Sequence, residues 1–225
     1  MARSYYMLVA SLPRLVHFER AERMPINRQR LEQRLRNLDP SHAGQLSEAS
    51  RLVEWRQQPA GRTDTEAVEL YRRVTSRLTH PVLRAFVEFR MDQRTVMAGL
   101  RRRQAGDPAP PAGETWGIPP RADWVRRHWE APDFNLGGHY PWINEARRLL
   151  EARSALELER LLMNVVWQRL GRVADTRPFG FESVFAFSFK WDILNRWLSY
   201  QAEAAVERFR ELVTEGMREY QKQYG

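Results

Sequence analysis

Five histidines (His17, His42, His80, His128 and His139) come first in any search for chemistry, because imidazole serves as base, acid and metal ligand. No two of them stand four apart, there is no H-E-x-x-H, and no acidic loop of the calcium-binding kind occurs. Their types and spacing therefore read as surface or capping residues. The chain has no cysteine, which excludes disulfide frameworks, thiolate metal sites and cysteine nucleophiles together. Gly137-Gly138 is not followed by Gly-Lys-Ser/Thr, and neither G-x-G-x-x-G nor G-x-S-x-G is found. The carboxylate pairs Glu157 with Glu159 and Glu203 with Glu207 sit in helical patterns as solvated faces. No catalytic, cofactor-binding or metal-ligating residue is nominated, and the sequence is read as that of a non-enzyme.

Binding is the remaining chemistry. The net charge of +8 suits an acidic partner. Only Lys190 and Lys222 are lysines, and the arginines are spread along the chain rather than gathered. The nearest approach to a nucleic-acid surface is Arg121, Trp124, Arg126, Arg127, His128 and Trp129, basic residues interleaved with aromatics. The competing reading of that segment is an amphipathic turn with two tryptophans inside and its arginines outside.

The elements that would position these residues are helical. Asn27 caps a helix bearing Leu31, Leu35 and Leu38. Asp39-Pro40 opens another, carrying Leu46, Ala49, Leu52, Val53 and Trp55, which breaks at Pro59-Ala60-Gly61. Thr63 or Asp64 caps a third, with Ala67, Leu70, Val74 and Leu78. His80-Pro81 starts a fourth that runs to about Arg103. Short turns between them predict antiparallel hairpins. One helix is expected from Ile143 to Leu170 with Gly171 as its C-cap, and a last one over about 182–222. Its Val184–Leu198 portion is apolar nearly all round, the mark of a buried helix, and it becomes amphipathic beyond Tyr200. The run from Tyr5 to Leu12 fits either a strand or a helix. It is too short to cross a membrane, which takes about 20 residues.

Residues 104–141 differ, holding seven of the thirteen prolines and five of the twelve glycines. With Trp116, Trp124, Trp129 and Phe134 inside it and Trp142 directly after it, this stretch reads as an ordered excursion with a flexible tip near 105–115 and a short helix over 121–130. The fold class is thus all-α: an antiparallel helical bundle with a Pro/Gly/Trp-rich excursion and a long C-terminal helix. It divides into 1–103, 104–141 and 142–225 within one domain, large enough to bury about 70% of its unfolded surface. Trp116, Trp124 and Trp129 of the excursion, and Phe209, Val213 and Tyr220 of the last helix, are the candidate partner-binding residues, since aromatic side chains anchor interfaces. Core packing competes for most of the tryptophans.

Two stretches resemble an uncharacterised bacterial family whose genes lie in operons for V/A-type rotary ATPases. They are Tyr5-Tyr6-Met7-Leu8-Val9-Ala10-Ser11-Leu12-Pro13, and Phe181-Glu182-Ser183-Val184-Phe185-Ala186-Phe187 followed by Lys190, Ile193, Leu194, Arg196 and Trp197. Asp133-Phe134-Asn135-Leu136 and Tyr140-Pro141-Trp142-Ile143 belong to the same pattern. The resemblance implies a non-catalytic ATPase subunit without cofactors. Such a subunit would stand where the helical C (or d) subunit joins the central stalk to the membrane rotor ring in ion-transporting, proton-transporting enzymes. It implies other ATPase subunits as partners and a cytoplasmic location at the membrane face. The alternative is a basic helical nucleic-acid-binding protein.

Overall fold

A computed structural model describes residues 4–53, 61 and 63–224, with side chains described throughout except at 203–207, 209, 211, 212 and 215–224. The described residues form helices and no strand. In chain order these are α1 (Tyr6–Ser11), a 3₁₀ turn (Phe18–Arg20), α2 (Arg28–Leu35), α3 (Pro40–Val53), α4 (Asp64–Arg77), α5 (Pro81–Gln104), α6 (Arg121–Arg127), α7 (Trp142–Glu151), α8 (Ala155–Thr176) and α9 (Phe181–Tyr224). Trp55 and most of the expected break at 59–61 lie outside the described residues. No helix among the described residues is long and apolar enough to cross a membrane.

Local chemistry sets the helix starts. Asn27 accepts from the Arg30 amide, and Asp39 accepts from that of Ser41. Thr63 and Glu66 close a reciprocal capping box at the head of α4. His80 caps α5 through Nδ1, with Pro81 at the first helical position, where its missing N–H costs nothing. The opening run is helical rather than extended: α1 forms over Tyr6–Ser11, and the Tyr5 amide donates to the carbonyl of Phe179 at 2.6 Å.

α5 is the spine of the molecule, and its two sides do different work. Asp92, Thr95, Gly99 and Arg103, at helical spacing, hold the 104–141 excursion. Asp92 Oδ2 accepts from both Arg121 and the Tyr140 hydroxyl, each at 2.7 Å. Burial and the Asp92 carboxylate raise the Tyr140 pKa, so that hydroxyl stays a donor. Thr95 Oγ1, fully buried, accepts from the Ile118 amide at 2.9 Å. Arg103 donates to the carbonyls of Trp129, Ala131 and Pro132 and lies over the Phe134 ring at 4.5 Å. These bonds satisfy backbone groups that a loop has no ladder to pair. Gly117 has φ +54°, and a Cβ there would stand 2.7 Å from Thr95 Cγ2. Gly117→Ala is therefore expected to lower unfolding free energy by about 1–3 kcal/mol, read by urea titration. An unchanged midpoint would mean that the excursion does not need this turn.

The expected single helix from Ile143 to Leu170 is two. α7 ends at Glu151, the chain turns through Ala152-Arg153-Ser154 with Arg153 at φ +54°, and α8 runs on through Gly171 to Thr176. Gly171 is thus helical and not a cap. A positive φ at arginine is uncommon, and no sequence signal marks it. α8 and α9 pack antiparallel: Ser183 Oγ donates to the Ala174 carbonyl, and Arg196 and Tyr200 near the other end both bond Glu159. The first half of α9 is core, with Phe181, Val184, Phe185, Ala186, Phe189, Trp191, Leu194 and Trp197 all buried.

Candidate functional site

The two stretches singled out at either end of the sequence meet at the root of α9. The Tyr6 ring lies 4.8 Å from that of Phe179, and the Tyr5 hydroxyl bonds His42 Nδ1 at 2.5 Å. His42 stacks flat on Phe181, with ring centroids 4.2 Å apart and planes within 3°. His80, 5.8 Å from His42, directs Nε2 toward Glu182 Oε1 at 3.5 Å, since its Nδ1 already accepts from the Leu83 amide. Glu182 is only 3% exposed, in the first turn of α9, where the helix dipole favours an anion. Gln45 of α3 completes the junction by accepting from the Thr79 and His80 amides at 2.9 and 2.8 Å. Two of the five histidines are thus gathered by the fold, which their separation in sequence concealed. No group of three or more His, Asp or Glu among the described residues could hold a metal ion.

Burial pushes His80 below its ordinary pKa of 6.5. Glu182 opposes that shift, while His42 and Arg177 reinforce it. A histidine depressed in the folded state binds its proton more readily when unfolded, so stability falls as the pH drops through 6.5. Denaturant unfolding at pH 7.5 and 5.5 is expected to show this loss, at most about 1.4 kcal/mol per pH unit for one proton. His80→Asn, which keeps a side-chain cap on α5, should flatten the slope. A slope identical in the variant would remove His80 from the account.

The sequence-nominated partner residues fall in different surroundings. Trp116 and Trp129 are 3% and 6% exposed and meet edge to face at 6.1 Å, so both are core side chains. Trp124 is half-buried, donates Nε1–H to the Phe134 carbonyl at 2.9 Å and stacks on His128. The expected flexible tip holds a buried Pro110, and Ala109 packs on the core. Around it the arginines of the 121–129 cluster are engaged within the chain: Arg121 on Asp92, Arg126 on Asp123, and Arg127 over the Trp124 ring. On α9, Val213 is 44% exposed, whereas the side chains of Phe209 and Tyr220 lie outside the described residues. Every described side chain beyond Tyr200 (Gln201, Ala202, Arg208, Arg210, Val213 and Thr214) is exposed.

A feature that sequence reasoning missed lies on the other side of α5. There α5, α8 and α9 diverge around a cavity of about 990 Å³, lined by Arg28, Arg90, Arg94, Arg101, Arg153 and Arg196 against only two carboxylates, Glu159 and Asp192. Its walls are apolar, with Phe86, Met97, Leu158, Leu162, Val166 and Phe189 among them. Glu159, expected to be solvated, instead turns across to α9 and pairs with Arg196. Arg90 bonds Gln93 and has no carboxylate partner among the described residues. Burial, with Arg196 adding repulsion, pushes its pKa down to about 10. The one available signal was Arg90, Arg94 and Arg101, spaced four and seven apart, on one side of an otherwise apolar α5.

Residues 62–219 match the model of the family described as Protein of unknown function (DUF2764). The chain belongs to that family. No curated protein and no solved structure matches it. The DUF2764 match begins at the head of α4 and reaches well into the second half of α9. It includes α5 with both of its working sides, the excursion and the α9 segment of the terminal pair. The opening Tyr5–Pro13 segment and helices α1 to α3 lie before it.

Proposed function

We propose that this protein is a non-catalytic structural subunit of a V/A-type rotary ATPase, taking the place of the helical C (or d) subunit between central stalk and rotor ring. The observation that carries the reading is the division of α9. Its 44 residues make a rod of about 66 Å. Eight buried apolar residues lock the first half into the core, and α1 and His42 pack on its base. Beyond Tyr200 the helix continues to Tyr224 with an amphipathic sequence, and its described side chains, Val213 among them, are exposed. A helix rooted in this way transmits force without bending at its base, and the amphipathic pattern of its second half supplies an adhesive face. That is the mechanical task of a part joining shaft to ring. The resemblance of the Tyr5–Pro13 and Phe181–Trp197 stretches supplies the identity of the assembly, and those residues form the root of the rod rather than its contact face. The place is cytoplasmic, at the membrane surface, with the other ATPase subunits as partners.

A tagged full-length copy, purified from membrane extract of its host, is expected to bring down ATPase subunits. Their absence from the purified material would overturn the reading.

A further inference from the structure

The arginine-lined cavity beside α5 carries chemistry that a structural subunit does not call for. Arg90 and Arg196 are each partly exposed, yet a buried N–H left without an acceptor is costly, and folds ordinarily pair it. Here Arg90 and Arg196 both line the cavity, and the Nε–H of each is buried without a hydrogen-bond partner among the described residues. Arg196 at least has Glu159; Arg90 has only the neutral Gln93. Arg101 and Arg153, both exposed, add positive charge to the same lining and have no ion pair among the described residues. Arg28 pairs with Glu32 and Arg196 with Glu159, so the positive excess of the lining comes from Arg90, Arg101 and Arg153, and two buried N–H donors are left over. Such a lining complements an anion.

The shape restricts the anion further. The groove lies along α5 from Phe86 to Ala105, about 28 Å of helix. Its volume is at the upper end of small-molecule sites, roughly 300–1,000 Å³, and such sites are mostly apolar with a few placed polar groups. Met97, Leu158 and Leu162 provide that apolar bed, and Gln93 Nε2–H to the Leu162 carbonyl at 3.4 Å ties α5 to α8 beneath it.

We infer that this groove binds a long-chain amphipathic anion, its carboxylate or phosphate head held by Arg90 and Arg196 and its alkyl body lying along Met97, Leu158 and Leu162. The inference stands apart from the assembly role: α9 lends Phe189 and Arg196 to the groove, but the assembly role rests on the helix's rooted base and its continuation beyond Tyr200, not on what the groove holds.

Isothermal titration of the full chain below the critical micelle concentration tests it with four probes: dodecanoate, dodecyl phosphate, dodecanol and inorganic phosphate. One or both of the anionic amphiphiles should bind at one site per chain, and the tighter of the two identifies the head chemistry. Dodecanol and inorganic phosphate should each bind at least tenfold more weakly, since each lacks half of the required chemistry. Arg90→Met should weaken the preferred anion at least tenfold while its circular dichroism matches the parent. Leu162→Trp, which fills the bed without touching the charge, should do the same. Absence of saturable binding by either anion would overturn the proposal, as would dodecanol binding as tightly as the anions. Undiminished binding by a folded Arg90→Met would also overturn it. Should Arg90→Met not fold, the probe comparison on the parent chain and Leu162→Trp decide the question alone.

Discussion

Trp197→Ala is expected to lower the melting temperature of the isolated protein by roughly 6–20 °C. The ring is 8% exposed in a cluster with Phe18, Ala21, Met163, Trp167 and Leu194, and meets Phe18 edge to face at 5.2 Å. Truncating a large buried aromatic costs about 3–5 kcal/mol, and one kcal/mol moves the midpoint by about 2–4 °C for a chain of this size. One feature pulls the value to the lower end: Trp197 Nε1 is buried without a hydrogen-bond partner among the described residues, so the substitution also removes an unsatisfied donor. The damage is local, because this cluster fastens the 3₁₀ turn at Phe18–Arg20 to α8 and α9 and is separate from the main core. An unchanged midpoint in differential scanning calorimetry would show that Trp197 is not part of the core.

Ending the chain after Ala202 is expected to abolish, or reduce at least tenfold, its recovery with ATPase subunits while leaving the body folded. The body keeps its described core in this truncation, since among the described residues the buried side chains of α9 run from Phe181 to Trp197 and those beyond Tyr200 are exposed. What is lost is the helix beyond Ala202, with the exposed Val213 in it. The experiment separates two failures. If the full-length chain captures no ATPase subunit, the assembly itself is misidentified. If the full-length and truncated chains capture them equally well, the assembly stands and the docking surface lies elsewhere on the body. A Val213→Glu variant of the full chain gives the same reading with the helix length preserved, and should weaken capture by placing a charge in the apolar contact.

Much of the local architecture was legible in the residues because it rests on chemistry within one helical turn. Asn27, Asp39, Thr63 and His80-Pro81 each mark the helix start they were expected to mark. The apolar girdle from Val184 to Leu198 marks a buried helix because a side chain on every face must find cover, and Val184, Phe185, Phe189, Trp191 and Leu194 are all within 3% of complete burial. The break at Ala152-Arg153-Ser154 was not legible. Leu149, Leu150, Leu156 and Leu161 keep a helical rhythm across it, and an arginine at positive φ has no compositional flag. Nor was the fate of Trp116. Prolines and glycines on both sides of it suggested a loop reaching outward, yet Thr95 and Asp92 draw that loop down onto α5 and bury the ring.

By itself, the sequence determined the helical class, the caps, the buried root and amphipathic end of α9, and the want of a recognisable catalytic motif. These follow from periodicity and short-range hydrogen bonding, whose partners are never more than a few residues away. Only the tertiary structure decided that His42, His80 and Glu182 share a junction, that the tryptophans of the excursion face inward, and that Arg90, Arg101, Arg153 and Arg196 surround one groove. The last two distinctions depend on which side of α5 a neighbour occupies, and a residue 60 or 100 positions away leaves no trace in the local pattern. An arginine on a helix reads as solvated charge until the fold places an apolar wall opposite it.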